Sequence, residues 1–126
     1  MAQVAVKVLQ AVPMPVPQGA AEAAFDRAHL ARMTFGDRSL ERELLQLFDR
    51  QATLLLERMA GAEAAAVATL AHTLKGSAAG VGAFGVVQAA AAVERTLTAT
   101  ERCAAIDALA QAVAAARAAI ADMLAG

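Results

Sequence analysis

From Ala20 onward, apolar residues recur at the spacing of a helical turn, in segments separated by glycines or capping residues. That period buries one stripe of a helix and does not fit the strict alternation of a strand. The first segment is short, about Glu22–Met33, with Phe25, Leu30 and Met33 on its core side. Phe35-Gly36-Asp37 breaks it, and Asp37 or Ser39 can cap the next helix. That second helix runs to about Met59 and repeats Leu40, Leu44, Phe48, Leu55 and Met59. A third spans about Ala62–Ala79, before a turn marked by Gly80, Gly82 and Gly85. A fourth runs to about Leu97 with Val86, Ala90, Val93 and Leu97 on one side. Thr98-Ala99-Thr100-Glu101 fits a capping box opening the last, which carries Ile106, Leu109, Val113, Ile120 and Leu124. Four long amphipathic helices on short loops predict an all-α, up-down-up-down four-helix bundle, with the short N-terminal helix across one end.

Composition agrees. At 126 residues the chain is one domain, and its 37 alanines favour helix. Aromatics are 3%, without Trp or Tyr, too few for a β-sandwich or for a platform that stacks single-stranded bases. The formal net charge is −1, with no basic excess for a phosphate backbone, so no nucleic-acid partner is expected. A single cysteine, Cys103, excludes an internal disulfide and a cysteine zinc cluster, and favours a reducing compartment. The apolar run from Ala104 is interrupted by Asp107, Arg117 and Asp122, and no transmembrane helix is expected. Lys7 before an apolar run ending at Pro13 makes a poor signal peptide, and a cytoplasmic protein is expected.

Residues 1–19 stand apart as an apolar tail. Val4, Val6 and Val8 alternate, and Pro13-Met14-Pro15-Val16-Pro17 reads as an extended polyproline linker. The domain proper is expected over 20–126.

Two histidines occur. His29, beside Leu30, reads as an ordinary surface or packed side chain. His72 is different. On a wheel of about 100° per residue, Val67, Leu70, Ala71, Leu74 and Ala78 cluster in one direction, and His72 points roughly 130° away from it. Lys75 falls at the border, roughly 70° from the core direction and on the His72 side. The neighbours on that face, Ala68, Gly76 and Ala79, are all small, so a lone imidazole rises from a bare patch beside an ammonium. Gly76 in mid-helix costs ~1 kcal/mol against alanine, which suggests close approach by something from outside. A neutral imidazole is a nucleophile, and with no hydrolytic partner beside it this one can accept a phosphoryl group, with Lys75 neutralising its oxygens. Glu94 is the candidate to hold the other ring nitrogen as N–H, provided the third and fourth helices are antiparallel neighbours. Otherwise it is a solvated glutamate near Arg95 or Thr98.

The run Ala71-His72-Thr73-Leu74-Lys75-Gly76-Ser77-Ala78, with Gly82-Ala83 and Val93-Glu94 downstream, resembles the signature of histidine-containing phosphotransfer (HPt) domains. Phe35-Gly36-Asp37 and the Leu44-Leu45 to Phe48 run resemble the family's second helix, so the likeness covers about Ala20 to Leu124. Alanine at many core positions departs from the family's larger residues and should bring the helices close. The resemblance implies that His72 is phosphorylated, that Lys75 assists the phosphate, that Gly76 leaves room for an incoming receiver domain, and that Glu94 is hydrogen-bonded to the site. It implies a phosphocarrier moving a phosphoryl group between aspartates of response-regulator receivers in a multi-step phosphorelay, with a hybrid histidine kinase as a candidate partner upstream. The protein then has no cofactor of its own, the receiver supplies Mg²⁺, and a monomer suffices. The expected partner surface comprises Ala68, Thr69, Gly76 and Ala79, with Gln88 and Ala91 from the fourth helix.

Other classes fit less well. No nucleotide-binding loop occurs, so autophosphorylation from ATP is not expected. Kinase dimerisation domains place acidic and proline residues after their histidine, and a chemotaxis-kinase phosphotransfer domain belongs to a longer chain; the end at Gly126 favours a free-standing carrier. A metal or haem bundle would use Glu-x-x-His, which is missing. A non-catalytic adaptor bundle, with His72 incidental, is the alternative.

Overall fold

The computed structural model describes residues 24–126; the tail assigned to 1–19 and the proposed boundary at residue 20 lie outside the described residues. Five helices follow: α1 (Arg27–Met33), α2 (Arg38–Met59), α3 (Ala64–Val81), α4 (Phe84–Glu94) and α5 (Ala99–Ala125). Among the described residues there is no strand. α2 packs on α3, α3 on α4, α4 on α5, and α5 returns to α2, closing a four-helix ring, while α1 lies on α3.

The helix ends follow from side-chain chemistry. Asp26 caps α1 by accepting the His29 amide at 3.0 Å. Asp37, rather than Ser39, caps α2, accepting the amides of Ser39 and Leu40 at 2.9 and 3.1 Å. α5 opens on the expected capping box: the Glu101 amide donates to Thr98 Oγ1 at 3.1 Å and the Thr98 amide to Glu101 Oε1 at 3.3 Å. Arg117 on α5 donates to Asp49 on α2 at 2.5 Å, tying those two helices on their outer side.

Several boundaries differ from the periodicity. Phe25 and Asp26 are not helical, so the helix that carries Leu30 begins at Arg27; the expected start at Glu22 lies outside the described residues. Met33, assigned to the core, is 48% exposed, because it sits in the last turn of α1, where the chain leaves the bundle. α3 continues through Gly80 to Val81, and only Gly82, at φ +83°, ends it in the left-handed conformation that glycine adopts without strain. α4 stops at Glu94, so Leu97 falls beyond it and is exposed; its amide donates to Glu101 instead.

The core combines Phe25, Leu30, Leu45, Phe48, Leu74, Leu109 and Ile120 with buried alanines, among them Ala52, Ala71, Ala78 and Ala90. Phe25 meets Phe48 edge-on at 6.3 Å. Leu40, Leu44, Leu70, Ile106 and Leu124 are only partly buried. α5 is, by length and composition, long and apolar enough to cross a membrane, because alanine weighs as apolar, a test that the core helix of a soluble protein also passes. In the bundle it buries Leu109, Val113, Ala116, Ala119 and Ile120 against its neighbours.

Candidate functional site

α3 and α4 form an antiparallel hairpin around Gly82-Ala83. His72 lies ten residues before Gly82 and Glu94 eleven after Ala83, so at equal rise the two stand level on adjacent helices. The structure brings them together. His72 Nδ1 is 2.9 Å from Glu94 Oε2, and Lys75 Nζ is 2.6 Å from Glu94 Oε1. One carboxylate thus bridges the imidazole and the ammonium, each through its own oxygen. The alternative pairing of Glu94 with Arg95 or Thr98 is not found.

Electrostatics assigns the proton. The Lys75 ammonium hydrogen-bonded to it, and then His72, hold the Glu94 carboxyl below its ordinary value near 4.5, with burial opposing them. Glu94 is therefore ionised at neutral pH and can only accept. Nδ1 must carry the hydrogen that it donates to Oε2, which leaves Nε2 of a neutral ring without a proton. The His72 side chain is 71% exposed, while Glu94 is 23% exposed. The arrangement is an exposed imidazole anchored at Nδ1 by a carboxylate.

The surroundings are small. Thr69 and Gly76 are exposed and Ala68 and Ala79 half-buried on α3. A Cβ added at Gly76 would meet nothing within 4 Å. The hydroxyls of Thr69 and Thr73 each donate to their own helix backbone at 3.1 Å, so they are spent locally. On α4, Gln88 is exposed and Ala91 half-buried, and no hydrogen bond ties either to His72 among the described residues.

His29 is packed. Its ring meets Phe84 edge-on at 5.4 Å, and Nε2 is buried with no partner among the described residues. It has no contact with the His72 cluster. What the sequence reading missed is the other flank of α3: Met33 and Leu47 are exposed large apolar residues beside Ser77 and Gly80, and exposed Leu54 follows farther along α2. The signal was present, since Leu47 and Leu54 lie two turns apart on α2 and off the Leu44–Phe48–Leu55 stripe.

A family model for the Hpt domain matches residues 39–126. The chain belongs to the Hpt domain family. The matched span takes in nearly all of α2 and the whole of α3, α4 and α5, hence the complete ring and the His72 cluster, but not α1. No curated protein and no solved structure matches the chain. Hpt domains serve histidine phosphotransfer in two-component phosphorelays; they are phosphocarriers rather than kinases, and they interact with response-regulator receivers and histidine kinases. The all-helical bundle agrees with that membership.

Proposed function

We propose that His72 is the phosphoryl carrier of this Hpt domain, moving the group between aspartates of receiver domains. The observation that supports it best is the Glu94 carboxylate 2.9 Å from Nδ1 of an imidazole that is 71% exposed, which in the neutral ring directs Nε2 to act as the nucleophile. Nε2 attacks the phosphorus of a receiver phosphoaspartate in line. The P–N bond forms as the bond from phosphorus to the aspartyl oxygen breaks, and the aspartate leaves as a carboxylate. The ring gains positive charge while Nδ1 keeps its proton, and the Glu94 carboxylate offsets that charge across 2.9 Å. Lys75, partly exposed, turns from Glu94 toward the new phosphoryl oxygens. Onward transfer runs the same step backwards on a second receiver.

The Mg²⁺ for both steps is the receiver's, bound by its own carboxylates. Thr69, Gly76 and Ala79 belong to the receiver's footprint, with Ala68, Gln88 and Ala91 at its margin. A small, weak interface suits a carrier that must leave each partner. The chain works as a monomer in the cytoplasm, where the exposed free Cys103 stays reduced.

The test incubates the protein and its His72→Gln variant with a labelled phospho-receiver and Mg²⁺. Acid-labile, alkali-stable label on the wild type alone is expected. Equal labelling of the variant, or none on the wild type across a panel of receivers, overturns the proposal.

A further inference from the structure

An apolar groove runs between α2 and α3, lined by Met33, Leu44, Leu47, Phe48, Ser77 and Gly80, with Gln51 at its edge and Leu54 beyond it. Its volume of about 230 Å³ is several times the ~30 Å³ share of one water. Met33, Leu47 and Leu54 stand 48%, 53% and 45% exposed along it. A contiguous apolar strip of this kind on a small domain marks an interaction site.

The path of the chain points to an occupant. Phe25 is buried against Phe48, the residue that floors the groove, and the Asp26 amide donates to the Gly82 carbonyl at 2.8 Å. The chain therefore enters the fold beside the groove. Upstream, residues 1–23 carry only two charges, Lys7 and Glu22. Within them Val12-Pro13-Met14-Pro15-Val16-Pro17 is wholly apolar and cannot form a helix. It ends eight residues before Phe25, a reach of up to ~28 Å when extended. As polyproline, six residues span ~19 Å, against ~15 Å of α2 from Leu44 to Leu54. Polyproline ligands fill aromatic-floored apolar grooves with alternate side chains and offer free carbonyls to a donor such as the Gln51 amide. A short tether turns weak apolar contact into an effectively millimolar one.

We propose that this groove is the docking site of the chain's own segment Val12–Pro17. Gly80 belongs to the site because its missing side chain keeps the groove open: a Cβ there would meet nothing within 4 Å.

The test uses the full chain with ¹³C-methyl methionine and leucine. Met14 reports the segment, and Met33 and Leu47 report the groove. Expected are through-space contacts from the Met14 methyl to Met33 and Leu47, independent of concentration. Leu47→Asp, or Gly80→Leu as a plug, should lower the docked population about tenfold and move Met14 to a solvent-like shift. Both positions leave the fold intact, as the remaining methyl shifts will report, because Leu47 is exposed and Gly80 has free space. A Met14 methyl indifferent to both substitutions overturns the proposal. So do contacts found between differently labelled copies, which would assign the groove to a second chain, and groove shifts seen only with a receiver while Met14 is unmoved. None of these readouts needs phosphoryl transfer, so failure here and failure of the His72 proposal are separable.

Discussion

Truncating Glu94 to alanine removes the acceptor that holds His72 Nδ1–H and frees Lys75 at the same time. The size of the effect follows from exposure. A charge-assisted hydrogen bond contributes ~1.5–3 kcal/mol net when desolvated, whereas exposed ion pairs contribute ~0.2–1 kcal/mol. His72 is 71% exposed and Glu94 23%, which points between the two ranges, to about 1 kcal/mol. One kcal/mol is about a fivefold change in the ratio of Nδ1–H to Nε2–H tautomers. Long-range ¹H–¹⁵N correlation of the imidazole in alkaline buffer, where the ring is neutral, reads that ratio directly. Phosphoryl acceptance should slow by at most that factor, since its rate follows the fraction of rings with a bare Nε2, which changes less than the ratio does. Glu94→Gln should fall between, because the amide oxygen still accepts but carries no charge. An unchanged tautomer ratio in Glu94→Ala would show that Glu94 does not orient the ring, and the account of the nucleophile would fail.

Three further outcomes are expected. Leu74→Ala, two residues from His72 but fully buried, should cost about 2–5 kcal/mol in urea unfolding, while His72→Gln on the exposed face costs no more than the ~1 kcal/mol of its bond to Glu94. Gly76→Ala should stabilise α3 by up to ~1 kcal/mol in the same assay yet slow phosphoryl transfer, since the new methyl group meets nothing in the fold and stands one turn from His72. Glu94 also sets a pH dependence: its folded carboxyl binds a proton less readily than the unfolded one, so its contribution is complete above its ordinary value near 4.5 and is lost as pH falls through the lower folded value. The stability difference between wild type and Glu94→Gln should therefore shrink on acidification, and a difference that grows would reverse the assigned direction.

Periodicity, capping residues and the His-x-x-Lys-Gly-Ser run were enough to read four long helices, the capping box at Thr98, and a histidine turned away from the core. Each of those properties belongs to a single helix, whose buried face and ends are written in its own residues. The meeting of Glu94 with both His72 and Lys75 is of another kind. A wheel brought Glu94 to the border of its helix, but only the hairpin at Gly82-Ala83, with His72 and Glu94 equally far from it, decides that they face each other. The errors have the same cause. Met33 and Leu97 keep the apolar period, yet one sits where the chain leaves the bundle and the other beyond the last turn of α4, so neither has a neighbour to bury it. The α2–α3 groove was illegible for that reason too: Leu47 and Gly80 lie 33 residues apart in sequence, and their adjacency exists only once two helices have packed. A helix's own stripe is local information, whereas which stripe it meets, and which it leaves bare, is settled by the close packing of the whole ring.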